Sequence, residues 1–295
     1  MWIGHAGRWA RTTAGALLLV AAPGFAESPD PPRNDRITSR DALVFLGGLA
    51  LGGTGKFLLD PDIQDVPASG LDRGTISLDW DRNAVGRPET GARTASDVAL
   101  GISFIVPSVL EWAGGGDEDR RLARTWITQA QAVSLAYGST LLLKPITSRP
   151  RPFTYLSGSE RPEDPAYDPG TRNAFESFPS GHAAIAWASA LSGVGLLASE
   201  RPDLSPGWHF LAGFASGGAA TATSLLRVDA GEHFPTDVAA GAALGSVAGV
   251  GIVLWRQGPA PDGSRGTAWR NSLLGLLAGS AVAFLVTPPT SPWID

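Results

Sequence analysis

Apolar and polar positions come in long blocks along this chain rather than alternating residue by residue. Charge-poor apolar runs occupy 42–55, 98–110, 125–143, 183–199, 208–226, 238–255 and 271–287. Each is long enough for a helix, and none shows the period of two that marks a strand. The pattern predicts an all-α fold, a helical bundle of six to seven helices. Several runs are rich in small residues, as in "LAGFASGGAATATSLL" and "VAAGAALGSVAGVGIVLW". Small residues let helix backbones approach closely, a habit of bundles embedded in membranes. Between the runs, the polar segment 59–96 predicts an irregular excursion with a short helix, and 256–270 a Gly/Pro/Arg loop.

The beginning of the chain has a different character. His5, Arg8 and Arg11 precede the apolar stretch "TTAGALLLVAAPGFA", with Gly24 and Ala26 at the small-residue positions of a cleavage site. Residues 1–26 therefore read as an export signal peptide, the alternative being a first helix that stays attached. Residues 27–40 are proline-rich and polar, as in a linker. The remainder divides into N-terminal helices with the polar excursion (41–120), a catalytic bundle (121–257) and a C-terminal loop and helix (258–295).

Composition narrows the function classes. Charged residues make up 17% of the chain, below the roughly 25% of an ordinary soluble domain. Mean hydropathy is +0.05, high for a soluble chain and low for one densely embedded in a membrane. The formal charge of −5 gives no reason to expect nucleic acid as a partner. With no cysteine, neither a disulfide framework nor a thiolate metal site is possible. Arginine outnumbers lysine 21 to 2, so each lysine is a scarce choice.

Helix direction brings the charged residues together. The run 125–143 ends at Lys144 and the run 183–199 begins at His182, so the loop between them lies at one end of the bundle. The run 208–226 returns to that end at Arg227, and the next helix starts near Thr236 and Asp237. An up-down bundle thus gathers "KPITSRPRP", "FPSGHAA" and "RVDAGEHFPTD" in one place.

Together these stretches carry the parts of a phosphate cage. A phosphoryl group in transfer spreads negative charge over three oxygens, which fixed cations and N–H donors stabilise. Lys144, Arg151 and Arg227 supply three cations, two of them planar forks suited to phosphate oxygens. Ser180 and Gly181 stand where a helix begins, with unpaired N–H groups and the positive dipole end. Asp237 follows His233 by four residues, within reach of the imidazole. A carboxylate on one ring nitrogen fixes the tautomer and leaves the other free to attack. His182 is then available to protonate the leaving oxygen.

These residues resemble the type 2 phosphatidic acid phosphatase superfamily, which also holds bacterial non-specific acid phosphatases and vanadium haloperoxidases. The family pattern is Lys-six-Arg-Pro, then Pro-Ser-Gly-His, then Ser-Arg-five-His-three-Asp. Leu226 departs from it, standing where the family has a serine, which removes a supporting hydrogen bond and no charge. The resemblance covers roughly 144–255. It implies that His233 is the nucleophile that forms a phosphohistidine, that Asp237 orients it, and that His182 is the acid and later the base. It also implies that Lys144, Arg151, Ser180, Gly181 and Arg227 bind the phosphate, with no metal and no cofactor.

The reading is therefore a phosphoric monoester hydrolase acting on a phosphorylated lipid, a lipid diphosphate or a small phosphomonoester. Its alternatives are a vanadium-dependent haloperoxidase, a soluble periplasmic acid phosphatase, and a metal-binding or structural protein using His182, His233, Asp237 and Glu232. Three cations would repel a metal ion from that last group. Elsewhere, His209 reads as a packed histidine and Glu232 as a solvated loop acid. Arg149 and Arg172 are candidates to extend the cage, and residues 163–178 to form a lid. Trp112, Trp126 and Trp255 near helix ends suit a membrane interface. If every run spans, the site faces the cytoplasm. Arg120, Arg121, Arg124, Arg201, Arg256, Arg265 and Arg270 at the opposite end argue instead for a site facing the periplasm or exterior of a bacterial envelope.

Overall fold

The computed structural model describes residues 38–86, 88–114, 118–257 and 263–287; the export signal and most of the linker lie outside them. The described residues are all-helical, without strands. Eight α-helices follow in order: α1 Ser39–Phe57, α2 Asp79–Asn83, α3 Thr90–Ala113, α4 Glu118–Thr147, α5 Gly181–Glu200, α6 Pro206–Asp229, α7 Pro235–Gln257 and α8 Gly263–Val286. Short 3-10 turns at Pro152–Tyr155, Pro165–Tyr167 and Arg172–Phe175 interrupt the long α4–α5 connection.

Every expected apolar run lies inside a helix, apart from Thr287 just past the end of α8, but several helices extend beyond their runs. Helix α3 begins eight residues ahead of its run, because "TGARTASD" is polar and hydropathy does not register it. Helix α8 begins at Gly263, within the segment expected to be a loop. There Trp269 anchors the first turns by donating from Nε1 to Ser199 Oγ at 3.3 Å.

Helix α5 is the axis of the bundle, buried along nearly its whole length and built of Ala, Gly, Ser and Leu. Helix α7 lies against it along a glycine seam. A Cβ on Gly241 would come within 2.3 Å of the Ser180 carbonyl oxygen, and one on Gly245 within 2.3 Å of that of Ala184. Only glycine permits this approach. Its result is that the start of α5 meets the start of α7, where Ser180 N–H donates to the Asp237 carbonyl at 2.9 Å.

Four helices are long and apolar enough to cross a membrane: Thr90–Ala113, Gly181–Glu200, Pro235–Gln257 and Arg265–Val286. The second is interior, whereas the other three turn most of their surface outward. Val98, Ile102, Ile105 and Val109 form an exposed apolar face on α3, and Leu274, Leu277 and Leu285 lie exposed on α8. Faces of this kind suit lipid rather than water. Exposed Trp112 and Trp126 lie at the end of the bundle away from the cage, and half-buried Trp255 is at that same end.

Candidate active site

Helix α4 stops at "TSRPRP", where Ser148 takes a positive φ of 44° and two prolines forbid further helix. Arg151 N–H then donates to the Ala174 carbonyl at 2.8 Å. Its guanidinium bonds Asn173 twice, Nε to the carbonyl at 2.7 Å and Nη2 to Oδ1 at 2.8 Å. Beneath this zipper, Phe153, Tyr155, Leu156, Tyr167, Phe175 and Phe234 form a buried, mostly aromatic core. Tyr167 Oη donates to the Ala230 carbonyl at 3.0 Å. The segment considered as a lid, 163–178, is thus a packed cap that fixes Arg151 beside the α6–α7 turn.

The structure brings all eight expected site residues to one end of the bundle. Lys144 is buried and donates from Nζ to the Glu176 carbonyl at 2.6 Å. Ser180 caps α5, its Oγ accepting from Ala183 N–H at 3.5 Å, and Gly181 is the first residue of the helix. Arg227 is buried at the end of α6, with Nη1 donating to Ser96 Oγ at 3.3 Å. Its Nε, also buried, has no hydrogen-bond partner. His182 has its Nε2 2.8 Å from Asp97 Oδ1.

His233 and Asp237 are both buried, and their relation differs from expectation. The His233 Nδ1 to Asp237 Oδ2 distance is 3.8 Å, an ion-pair separation rather than a hydrogen bond. Oδ2 already accepts from Ser177 Oγ at 2.5 Å and from Phe234 N–H at 2.8 Å. The second of these is half of a capping box, because Asp237 is the third residue of α7 and Phe234 precedes the first. His233 Nδ1 is left without a partner. A contact of this length can tighten when substrate arrives, as is common at catalytic hydrogen bonds.

His233 is surrounded by positive charge. Burial, then Arg151, Lys144, Arg227 and His182, hold its pKa well below the ordinary 6.5. The neutral, nucleophilic imidazole is therefore the form present at pH 6.5, where a free imidazole is half protonated. The sign for stability is the reverse. As pH falls below 6.5 the unfolded chain binds a proton that folded His233 refuses, so this residue favours unfolding in acid. In an NMR titration of the substrate-free protein, the His233 ring signals are expected to remain those of neutral imidazole through pH 6.5. A midpoint near that pH would contradict the described environment.

Several residues near the cage have partners that the sequence did not indicate. Arg149 does not extend the cage: it pairs with Asp237 Oδ1 at 2.5 Å and Asp81 Oδ2 at 2.7 Å, and lies over the Phe234 ring. Arg172 is likewise structural, reaching Glu176, Asp60 and the carbonyls of Gly55 and Leu59. His209 is packed as expected, with Nε2 3.1 Å from the Arg201 carbonyl. Glu232 is the largest departure. It is 2% exposed and pairs with Arg151, with Arg227 at 3.3 Å and with Arg93 at 3.3 Å. Arg93, Ser96 and Asp97 all come from the polar start of α3. Their spacing of three and four residues is a helical-face signal that the sequence does carry.

Among the described residues, no group of three or more His, Cys, Asp or Glu side chains is placed to hold a metal ion. Of the four residues considered as ligands, Glu232 and Asp237 are paired with arginines and His182 with Asp97.

Residues 126–260 match the family model of the PAP2 superfamily, in agreement with the resemblance read from the three motifs. The match takes in all eight expected site residues and somewhat less than half of the chain. Searches of the curated proteins and of the solved structures each found no match. Asp81, Arg93, Ser96 and Asp97 lie ahead of the matched segment.

Proposed function

We propose that the protein is a phosphatase that hydrolyses phosphate monoesters through a phosphohistidine and needs no metal. The superfamily match supports phosphoesterase activity in general. The observation that carries the finer reading is a buried histidine at the bundle end that gathers Lys144, Arg151 and Arg227, with the Asp237 carboxylate 3.8 Å from its Nδ1.

In this mechanism, Lys144, Arg151, Arg227 and the N–H groups at the start of α5 hold the phosphate oxygens. Asp237 faces Nδ1 of His233, so Nε2 attacks phosphorus. The P–O bond to the leaving group breaks, and the departing oxygen takes a proton from His182. Asp97 on the His182 Nε2 orients that ring. Water then attacks the phosphohistidine and gives its proton to His182. The P–N bond breaks, inorganic phosphate leaves, and His233 is neutral again. Positioning and fixed charge do most of the work, as expected for phosphoryl transfer.

A lipid phosphate or diphosphate is the substrate class that suits the apolar outer faces of α3, α7 and α8. The setting proposed is a bacterial envelope, with the cage toward the periplasm or exterior. The purified protein is expected to hydrolyse p-nitrophenyl phosphate equally well with and without a chelator, and to be inhibited by vanadate. Activity lost to the chelator and restored by Mg²⁺ contradicts the metal-free mechanism. Bromide oxidation in the presence of vanadate and peroxide would support the haloperoxidase alternative.

A further inference from the structure

Glu232 is an unusual neighbour for a phosphate cage. A buried carboxylate is costly unless it is paired or hydrogen-bonded, and here three arginines pair with it. One carboxylate oxygen, Oε2, bridges Arg151 and Arg227, the two guanidinium groups assigned to the phosphate. The other, Oε1, faces Arg93 Nε. Arg151 also donates to the Glu232 carbonyl at 2.9 Å and twice to Asn173, so nearly all of its N–H groups are spent. A phosphate arriving beside His233 therefore finds Arg151 already satisfied by an anion. Arg93 differs from the other two arginines. Its side chain is 41% exposed, and its second partner, Asp164, is a looser one at 3.8 Å.

We propose that the Glu232 carboxylate is an internal occupant of the phosphate site, displaced from Arg151 and Arg227 toward Arg93 when a phosphate monoester binds. The inference rests on the phosphatase reading of the same cage. In the empty site Glu232 relieves the repulsion among clustered cations. On binding, it is exchanged for a dianion, which gains more from the same fixed charges than a single carboxylate does. A monoanion such as a phosphodiester gains no such advantage. Glu232 thereby selects for doubly charged phosphate and keeps product phosphate from binding too tightly.

The test compares the full-length protein with Glu232→Gln, Arg93→Gln and the double variant. The readouts are vanadate inhibition, binding of inorganic phosphate, and KM against kcat for p-nitrophenyl phosphate. Glu232→Gln is expected to bind both anions roughly 10- to 100-fold more tightly, the scale of one charge-assisted hydrogen bond, and to lower KM. Arg93→Gln should weaken anion binding, because the displaced carboxylate loses its receiver, and this effect should vanish in the double variant. If Glu232→Gln does not fold, Glu232→Asp, too short to bridge both arginines, should show the same tightening. Weaker or unchanged anion binding in the Glu232 variants would mean a fixed brace for the arginines and overturns the proposal. An Arg93→Gln effect that persists in the double variant overturns the receiving role of Arg93. A wild-type protein that neither hydrolyses phosphate esters nor binds either anion overturns the phosphatase reading, and this inference with it.

Discussion

His233→Ala is expected to abolish phosphoenzyme formation with every substrate, whereas His182→Ala should still be phosphorylated by p-nitrophenyl phosphate. The difference follows from what each imidazole does in the proposed mechanism. His233 makes the bond to phosphorus, and no nearby group replaces it. His182 protonates the departing oxygen, which matters in proportion to that oxygen's basicity. A p-nitrophenolate leaves readily without help. Dephosphorylation is another matter, because water needs a base and the proposed mechanism assigns that part to His182. His182→Ala should therefore give a burst of nitrophenol followed by slow turnover, with acid-labile phosphate on His233. With an alkyl phosphate the burst should disappear. Rapid-quench trapping of phosphate on His182 in the wild type would reverse the two roles. Replacing Asp97 by Asn should move the two histidine signatures unequally, since of the two rings it contacts that of His182; its other partner, Arg227 at 3.9 Å, is a looser one.

Removing a cage cation is expected to cost nearly as much. Arg227→Ala and Lys144→Ala should each lower kcat/KM by about 10²–10³, or roughly 2.7–4 kcal/mol, by analogy with loss of a single oxyanion donor. Folding should persist in both, as read by circular dichroism and thermal melting. Glu232 retains Arg151 and Arg93 when Arg227 is gone, and the Glu176 carbonyl that Lys144 bonds belongs to a cap packed by its own aromatic core. Arg227→Lys separates charge from shape. It keeps the cation but loses the fork that contacts Ser96 and Glu232 together, so partial rescue is expected. Near-full activity in either alanine variant would remove that residue from the cage.

The helices were legible because their signal is long and local. Seven apolar runs without alternation admit little besides an all-helical bundle, and the match over residues 126–260 agrees with the motifs at Lys144, Arg151, Ser180–His182 and Arg227–Asp237. The same signal missed the first two turns of α3 and the start of α8. Polar helical residues that pack against a charged site have no hydrophobic signature. Glu232 shows the same limit from the other side. In sequence it is one acid in a short turn, indistinguishable from a solvated one.

The helical class and the chemical inventory of the site can be read from residue order. Both depend on residue type and on spacings of a few residues. Which charges meet depends on how the helices pack. The glycine seam between α5 and α7 sets Ser180 against Asp237. The return of α3 past the end of α6 brings Asp97 to His182 and Arg93 to Glu232, across 85 and 139 residues of chain. Electrostatic partnership depends on distance in space and on exclusion of water, and neither is defined until the helices have packed.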